Sequence, residues 1–270
     1  MITVYFDDSG THPESDVAVA ACYVGEVDQW RALERDWQGA RTAEGFEVFG
    51  MADILGGKEK FRDWPEEKRD RLIRRLISVM QIRSRKGFSY SVVKSEYDAV
   101  MTEQLKKRIG RFHYSFAVRG CLAAIANWRR EFDIIGPMEY VFDQMSQGKG
   151  EIEAILNELI HDGDGEIFGL ETGGWAFQSK KSLAPLQGID ILAHESYRHM
   201  VSCIVSPKPV PHSLADSYMW ELHQGPLTTG FYTKDLLVKI ANGTAQAFDR
   251  IGWGEPLTNA KGPRKRESFG

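Results

Sequence analysis

The sequence predicts an α/β protein, a mixed five-stranded sheet flanked by helices. Three observations lead there. Short β-branched and aromatic runs, residues 2–6 first among them, are separated by longer stretches whose apolar residues recur every three or four positions. The predicted order is strand, strand, strand, helix, strand, helix, strand, helix, with additional helices between the second and third strands. Aspartates, Asp7 and Asp143, stand where the first and fourth strands end.

Ile2, Val4 and Phe6 alternate with Thr3 and Tyr5, and Ser9-Gly10 breaks the run, which makes a buried strand with Asp7 and Asp8 at its mouth. A carboxylate there is costly to desolvate unless it binds a cation or accepts hydrogen bonds, although capping the turn is an equally good use of either aspartate. Residues 17–24 form a second apolar strand, close enough to make a hairpin with the first. Trp30, Leu33 and Trp37 predict a helix over 28–43, and residues 45–57 read as a short strand or loop containing Asp53. Pro65 opens the next helix, with Glu66 and Glu67 in its first turn and Leu72, Leu76 and Met80 along its apolar face, and Gly87 is expected to end it. Residues 88–93 are the third strand. A polar, partly helical stretch over 94–110 precedes a long helix over 112–132.

Pro137 precedes the fourth strand, 138–143, which ends in Asp143. Ile152, Ile155, Leu156 and Leu159 mark an amphipathic helix, residues 161–165 a loop, and 166–170 the fifth strand. The last helix of the series is expected over 186–203, between Pro185 and Pro207, with Asp190 one turn in. The rest, 206–270, is Pro-rich, then helical around 234–251, and ends in a basic tail with Lys261, Arg264, Lys265 and Arg266. The expected organisation is one domain over 1–205 with a helical insertion at about 26–86, and a C-terminal extension packed on it.

With 270 residues, 42% of them hydrophobic and 27% charged, the chain can bury a full core. No apolar run approaches the ~20 residues that cross a bilayer, and no basic region with an apolar signal segment opens the chain, so the expected location is the cytoplasm and no membrane partner is implied. Cys22, Cys121 and Cys203 include no C-x-x-C pair and read as reduced thiols. The net charge of −4 hides a segregation: residues 68–86 carry eight basic side chains against Asp70 alone, and 104–130 carry seven and no acid. That asymmetry suits a polyanion-binding face beside an acidic centre, and nucleic acid is the partner it implies; solvated helix faces are the plainer reading.

The order of elements is that of the ribonuclease-H-like fold. In that fold the first and fourth strands lie side by side, and a third acid comes from the helix after the fifth strand. Asp7, Asp143 and Asp190 occupy those three places and are the candidate catalytic residues and metal ligands. Cleavage of a phosphodiester by two Mg²⁺ or Mn²⁺ ions ~3.5–4 Å apart needs a bridging carboxylate, here Asp7, and others to complete each site. Without metal, three aspartates this close would repel one another and raise at least one pKa. Asp8, Asp53 and Glu195 are further candidate ligands, and Asp53, Glu96 or Glu195 would have to supply a fourth acid, or there is none. Asp190, His194 and Arg198 are four apart and share a helix face, so His194 could move a proton and Arg198 contact phosphate, with a surface histidine the better reading of His194. Ser9, Lys180 and Lys181 complete the substrate-contact candidates.

The local sequences also resemble a widespread bacterial family, catalogued as a domain of unknown function and written Y-x-D-E-S-G and L-Q-x-A-D-l-x-A, in the ribonuclease-H-like superfamily. Tyr5-Phe-Asp-Asp-Ser-Gly10 and Leu186-Gln-Gly-Ile-Asp-Ile-Leu-Ala193 carry the likeness, with Phe49-Gly-Met-Ala-Asp53 similar to its F-H-x-x-D segment and Val141-Phe-Asp143 to its fourth-strand aspartate. It covers roughly residues 1–200. The resemblance implies a metal-dependent nuclease or a nuclease-derived protein, and by family analogy a setting in defence against mobile DNA. Asp8 stands for the usual Glu, Gly50 for His and Ile189 for Ala, and the long helix has no glutamate from 112 to 130.

Competing signals are weaker. Asp7-Asp8-Ser9-Gly10-Thr11 is superficially the D-x-D-G-T of haloacid-dehalogenase-like phosphatases but lacks its second acid at the right spacing. Asp162-Gly-Asp-Gly-Glu166 is a turn rather than a calcium loop. No phosphate-binding glycine loop and no G-x-S-x-G elbow is present. His113-Tyr114 reads as core packing more than base stacking. The non-enzyme alternative is a nuclease-derived module that binds nucleic acid or protein without a filled metal site.

Overall fold

The computed structural model describes residues 1–144, 148–161, 163–170, 174–205, 218–243 and 255–256. β1 (Ile2–Ser9) and β2 (Val17–Glu26) form an antiparallel hairpin in which Phe6 pairs with Cys22 and Ser9 with Val19. Gly10 closes it at φ 68°, where a Cβ would stand 2.1 Å from the Val17 carbonyl oxygen, so only glycine makes this turn. β2 is buried along nearly its whole length because its residues are apolar on both faces and helices cover both.

Helices α1 (Val27–Glu44), α2 (Met51–Leu55) and α3 (Glu66–Arg83) lie between β2 and β3 (Lys86–Val93), which pairs antiparallel with β2. Two readings change here. Residues 45–57 hold a short helix, not a strand: Met51 and Ile54 recur at helical spacing and both are fully buried. Gly87 does not end α3, which stops at Arg83; it lies inside β3, where a Cβ would meet the Tyr23 ring at 2.5 Å.

The polar stretch after β3 forms α4 (Lys94–Val100) and α5 (Glu103–Ile109), and α6 (His113–Glu131) follows with fifteen residues buried. β4 (Met138–Asp143) runs parallel to β1, with Tyr5 beside Val141 and Phe6 beside Phe142. After α7 (Lys149–His161), residues 166–170, expected as the fifth strand, instead begin in a helical turn, α8 (Gly165–Phe168). Its carbonyls accept from the Gly169 N–H, and Gly169 at φ 69° turns the chain as a helix C-cap does. The fifth strand is β5 (Trp175–Gln178), four residues of alternating size that pair parallel with β4.

α9 (Ala184–Met200) crosses β1 and β2 and continues into one π turn (Val201–Val205), so the regular helix ends earlier than 203. Its close seat against α3 depends on Gly188, where a Cβ would overlap the Met80 sulfur at 2.1 Å. The stretch after residue 205 is not only an appendage. Beyond α10 (Tyr218–Leu222), β6 (Leu227–Tyr232) adds to the sheet parallel to β3, α11 (Lys234–Asn242) packs against α4, and β7 (Glu255–Pro256) pairs with β6. The sheet order is β5-β4-β1-β2-β3-β6-β7. The basic tail and residues 244–251 of the expected last helix lie outside the described residues.

Two apolar cores follow from strand alternation. Val4 and Phe6 face one core with α6, while Tyr5 and Tyr23 face the other with α1, α3 and α9. Asp7, one residue beyond Phe6, therefore faces the α9 side.

Candidate functional site

Strand register brings the first two acids together. Phe6 and Phe142 are partners across parallel strands with their rings stacked 4.7 Å apart, so Asp7 and Asp143, the next residues of β1 and β4, share the opposite face. α9 lies over that face and supplies Asp190 from its second turn.

The centre is filled by an ammonium. Lys180 Nζ lies 3.0 Å from Asp190 Oδ1, 3.9 Å from Asp7 Oδ2 and 4.0 Å from Asp143 Oδ2. No two of these oxygens are therefore more than about 8 Å apart. The turn before α9 is fixed by the same acids: the Lys180 backbone N–H donates to Asp143 Oδ1 at 2.8 Å. Asp190 Oδ2 accepts from the Met51 N–H at 2.6 Å, and Asp7 Oδ1 accepts from the Asp8 N–H at 2.9 Å. Asp7 Oδ2 has no hydrogen-bond partner although the residue is only 2% exposed.

Burial holds the Asp7 carboxyl well above the ordinary carboxylate range; Lys180 pulls it down, and Asp190, Asp8 and Asp143 push it further up. Asp143 is raised as well, again first by burial, against the opposing Lys180 N–H and ammonium. Burial works against the Lys180 ammonium, but Asp7, Asp190 and Asp143 outweigh it and hold its pKa above the ordinary lysine value.

The remaining candidates divide. A Cβ at Gly50 would stand 3.4 Å from Asp53 Oδ2 and 4.0 Å from Asp190 Oδ2, so Asp53 on α2 borders the cluster across an open space that glycine leaves. Asp8 accepts from the Thr11 hydroxyl at 2.7 Å, the turn-capping use that the sequence allowed, while its charge still reaches Asp7 and Asp143. Glu195 is buried and bound to His194 Nδ1 and Arg198 Nη1, each at 3.1 Å, and is not among the charges acting on Asp7. His194 and Arg198 are thus engaged along α9. Ser9 pairs with Val19 at the end of β1, and Lys181 is exposed. Glu96 sits in the first turn of α4 and His113 packs edge-on against Tyr97.

Gln187 entered the sequence reading only as part of the Leu186–Ala193 motif, with no role of its own. Its Oε1 accepts from the Trp37 indole at 3.2 Å and the Phe49 N–H at 3.0 Å, and its Nε2 donates to the Lys180 carbonyl at 2.8 Å. One buried amide thus ties α1, the segment leading to Asp53 and the Lys180 turn to α9, one turn before Asp190. An amide among the apolar residues Leu186 to Ile189 was the available signal.

The basic segments are divided between side chains engaged by the fold and side chains that face solvent. Lys68, Arg83 and Arg85 pair with Glu44, Asp36 and Glu26, and Arg74 with Asp70 and Glu221. Arg119 and Arg129 are buried on α6 against backbone carbonyls. Arg71 and Arg75 on α3, and Lys107, Arg108 and Arg111 at α5, face solvent.

The donor set is entirely hard oxygen, the kind that Mg²⁺ and Mn²⁺ take, and the orphaned Asp7 Oδ2 aims at a cation position. As the side chains stand, that position suits an ammonium: among the described residues, no three His, Cys, Asp or Glu converge closely enough to hold a metal ion.

No protein-family model matches the chain, and no curated protein does. Among solved structures it is similar to a chain of the PCNA:RNase HII complex from Archaeoglobus fulgidus, at 13% identity and a TM-score of 0.40, covering 82% of this chain and 90% of that one.

Proposed function

We propose that the chain is a ribonuclease-H-like nuclease that hydrolyses phosphodiester bonds of RNA or DNA with Mg²⁺ or Mn²⁺. One observation carries the reading: acids from β1, β4 and α9 surround a single cation position, and the most buried of them keeps an oxygen with no hydrogen bond. A structural ion pair would be expected to satisfy that oxygen; a ligand site keeps it available.

Asp7, Asp143 and Asp190 would hold the cation, with Asp53 bordering it. When bound, the metal lowers the pKa of an attacking water and offsets charge on the phosphate. The chain's own residues do the rest. The Met51 N–H fixes one oxygen of Asp190 and the Lys180 N–H one oxygen of Asp143, so the outer oxygens are aimed rather than free to rotate. Gln187 holds both donating segments in place. The Lys180 side chain is 36% exposed, so its ammonium can contact a phosphate oxygen.

The alternative is a nuclease-derived binding module, and the seated ammonium favours it, because Lys180 neutralises the acids without any metal. Titration of Mn²⁺ into wild type and Asp190→Asn by calorimetry, with cleavage assays on single- and double-stranded DNA and RNA, separates the two. Binding and cleavage that are present in wild type, with cleavage lost by about 10³-fold in the variant, are the expected result. Wild type that binds no metal would leave the module.

A further inference from the structure

Lys180 is held very differently at its two ends. Its backbone is pinned, the N–H to Asp143 Oδ1 and the carbonyl to Gln187 Nε2, each at 2.8 Å. Its ammonium ends a flexible four-carbon stem that is partly open to solvent, and of its three carboxylate contacts one alone is short enough for a hydrogen bond. The contacts at 3.9 and 4.0 Å exceed the ~2.7–2.9 Å of a charge-assisted bond. A single ammonium is too small to serve all three acids from one position, and Asp7 Oδ2, 2% exposed, goes unserved.

A divalent cation bonded to carboxylate oxygens at ~2.0–2.6 Å would draw the three acids in and serve that oxygen. It could not share the space with the ammonium, since like charges ~4 Å apart repel strongly away from bulk water. We propose that Lys180 is an exchangeable counter-cation: its ammonium holds the three aspartates together while no metal is bound, and leaves for the solvent side when a divalent cation enters. This rests on the nuclease reading and adds to it an order of events. The pinned backbone keeps the displaced ammonium at the mouth of the site, where an incoming phosphodiester meets it, so one side chain serves the acids first and the substrate afterwards.

The test uses the full chain and Mn²⁺ alone. Lys180→Met keeps the length of the stem and removes the charge; it is expected to bind Mn²⁺ at least about tenfold more tightly than wild type by calorimetry. Its metal-free melting temperature is expected to fall below that of wild type and to rise further on adding Mn²⁺. The second measurement needs no variant: acetylation of Lys180 in the wild-type protein, followed by peptide mass spectrometry, is expected to accelerate at saturating Mn²⁺ as the ammonium is released. Wild type that binds Mn²⁺ while Lys180→Met binds no more tightly, or acetylation that is unchanged or slowed by Mn²⁺, overturns the exchange and leaves the nuclease reading standing. Absence of Mn²⁺ binding in both proteins overturns the two together.

Discussion

α6 and α9 pack on opposite faces of the central strands, and both bury charged or polar side chains, yet they do so in different ways. On α6, Arg119 donates to the carbonyls of Ile109 and Arg108 and pairs with Glu158, and Arg129 donates to the carbonyls of Gly136 and Glu166. These guanidiniums close off loop backbone that would otherwise lack partners. On the α9 face, Gln187 and Asp190 are similarly well served, but Asp7 beneath them retains a buried oxygen that nothing bonds. Ser115 Oγ on α6 and the Tyr232 hydroxyl packed near that helix also lack partners, but they are neutral. An unserved buried carboxylate is far more costly, so a fold tolerates one where something other than folding uses it. Buried charge by itself does not mark a site; incompletely bonded buried charge does.

Substitutions on the two helices should therefore separate stability from ligand binding. The largest stability loss is expected from Arg119→Met, which strands two carbonyls and Glu158: about 2–4 kcal/mol by urea denaturation, with Mn²⁺ affinity unchanged. Gln187→Met is expected to cost somewhat less, about 2 kcal/mol, because the methionine fills the space while leaving the Trp37 indole, the Phe49 N–H and the Lys180 carbonyl without partners. Unlike the α6 variant, it should also weaken Mn²⁺ binding severalfold, since both segments that aim the aspartates are released. Equal Mn²⁺ affinities in these two variants would erase the distinction between the faces.

Much of this arrangement could be read from residue order. β1 and β4 announce themselves by alternation and β2 by a continuous apolar run, and Asp7 and Asp143 by their position near strand ends, because period-2 patterning fixes which residues face which core. What could not be read has physical reasons. β5 is four residues long and only partly buried, too short for a pattern, while the apolar Ile167-Phe168 beside it imitates a strand until Gly169 turns the chain. β6 joins the sheet far from its neighbour in sequence, and nothing local to Leu227–Tyr232 reveals β3 as its partner. The basic runs suggested a polyanion surface, but charge counts do not show which arginines turn inward to carbonyls. Lys180 was legible as a phosphate contact or a loop lysine and not as the cation among three acids, since that depends on where the turn before α9 lands.

The smallest expected effect bears most directly on the comparison. Asp7→Asn keeps the shape of the side chain and removes a charge that the α9 face buries with one oxygen unbonded. Without metal, the variant is expected to be more stable than wild type at neutral pH by about 1 kcal/mol, or roughly 2 °C in melting temperature, despite losing the Lys180 contact at 3.9 Å. The pH dependence has a definite sign. Burial raises the Asp7 pKa in the folded state, so the native protein keeps this proton to higher pH than the unfolded chain does, and stability falls as pH climbs from the ordinary value of 3.8 through the raised one. Asp143, raised as well, contributes in the same direction. Asparagine has no proton to lose, so the decline across that window should be shallower in the variant, as read by melting temperatures taken from acid to neutral pH in chelator. If the variant proved less stable than wild type throughout, the Lys180–Asp7 pair would be a net stabilising contact, and the buried acids of the α9 face would be as well compensated as the buried arginines of α6.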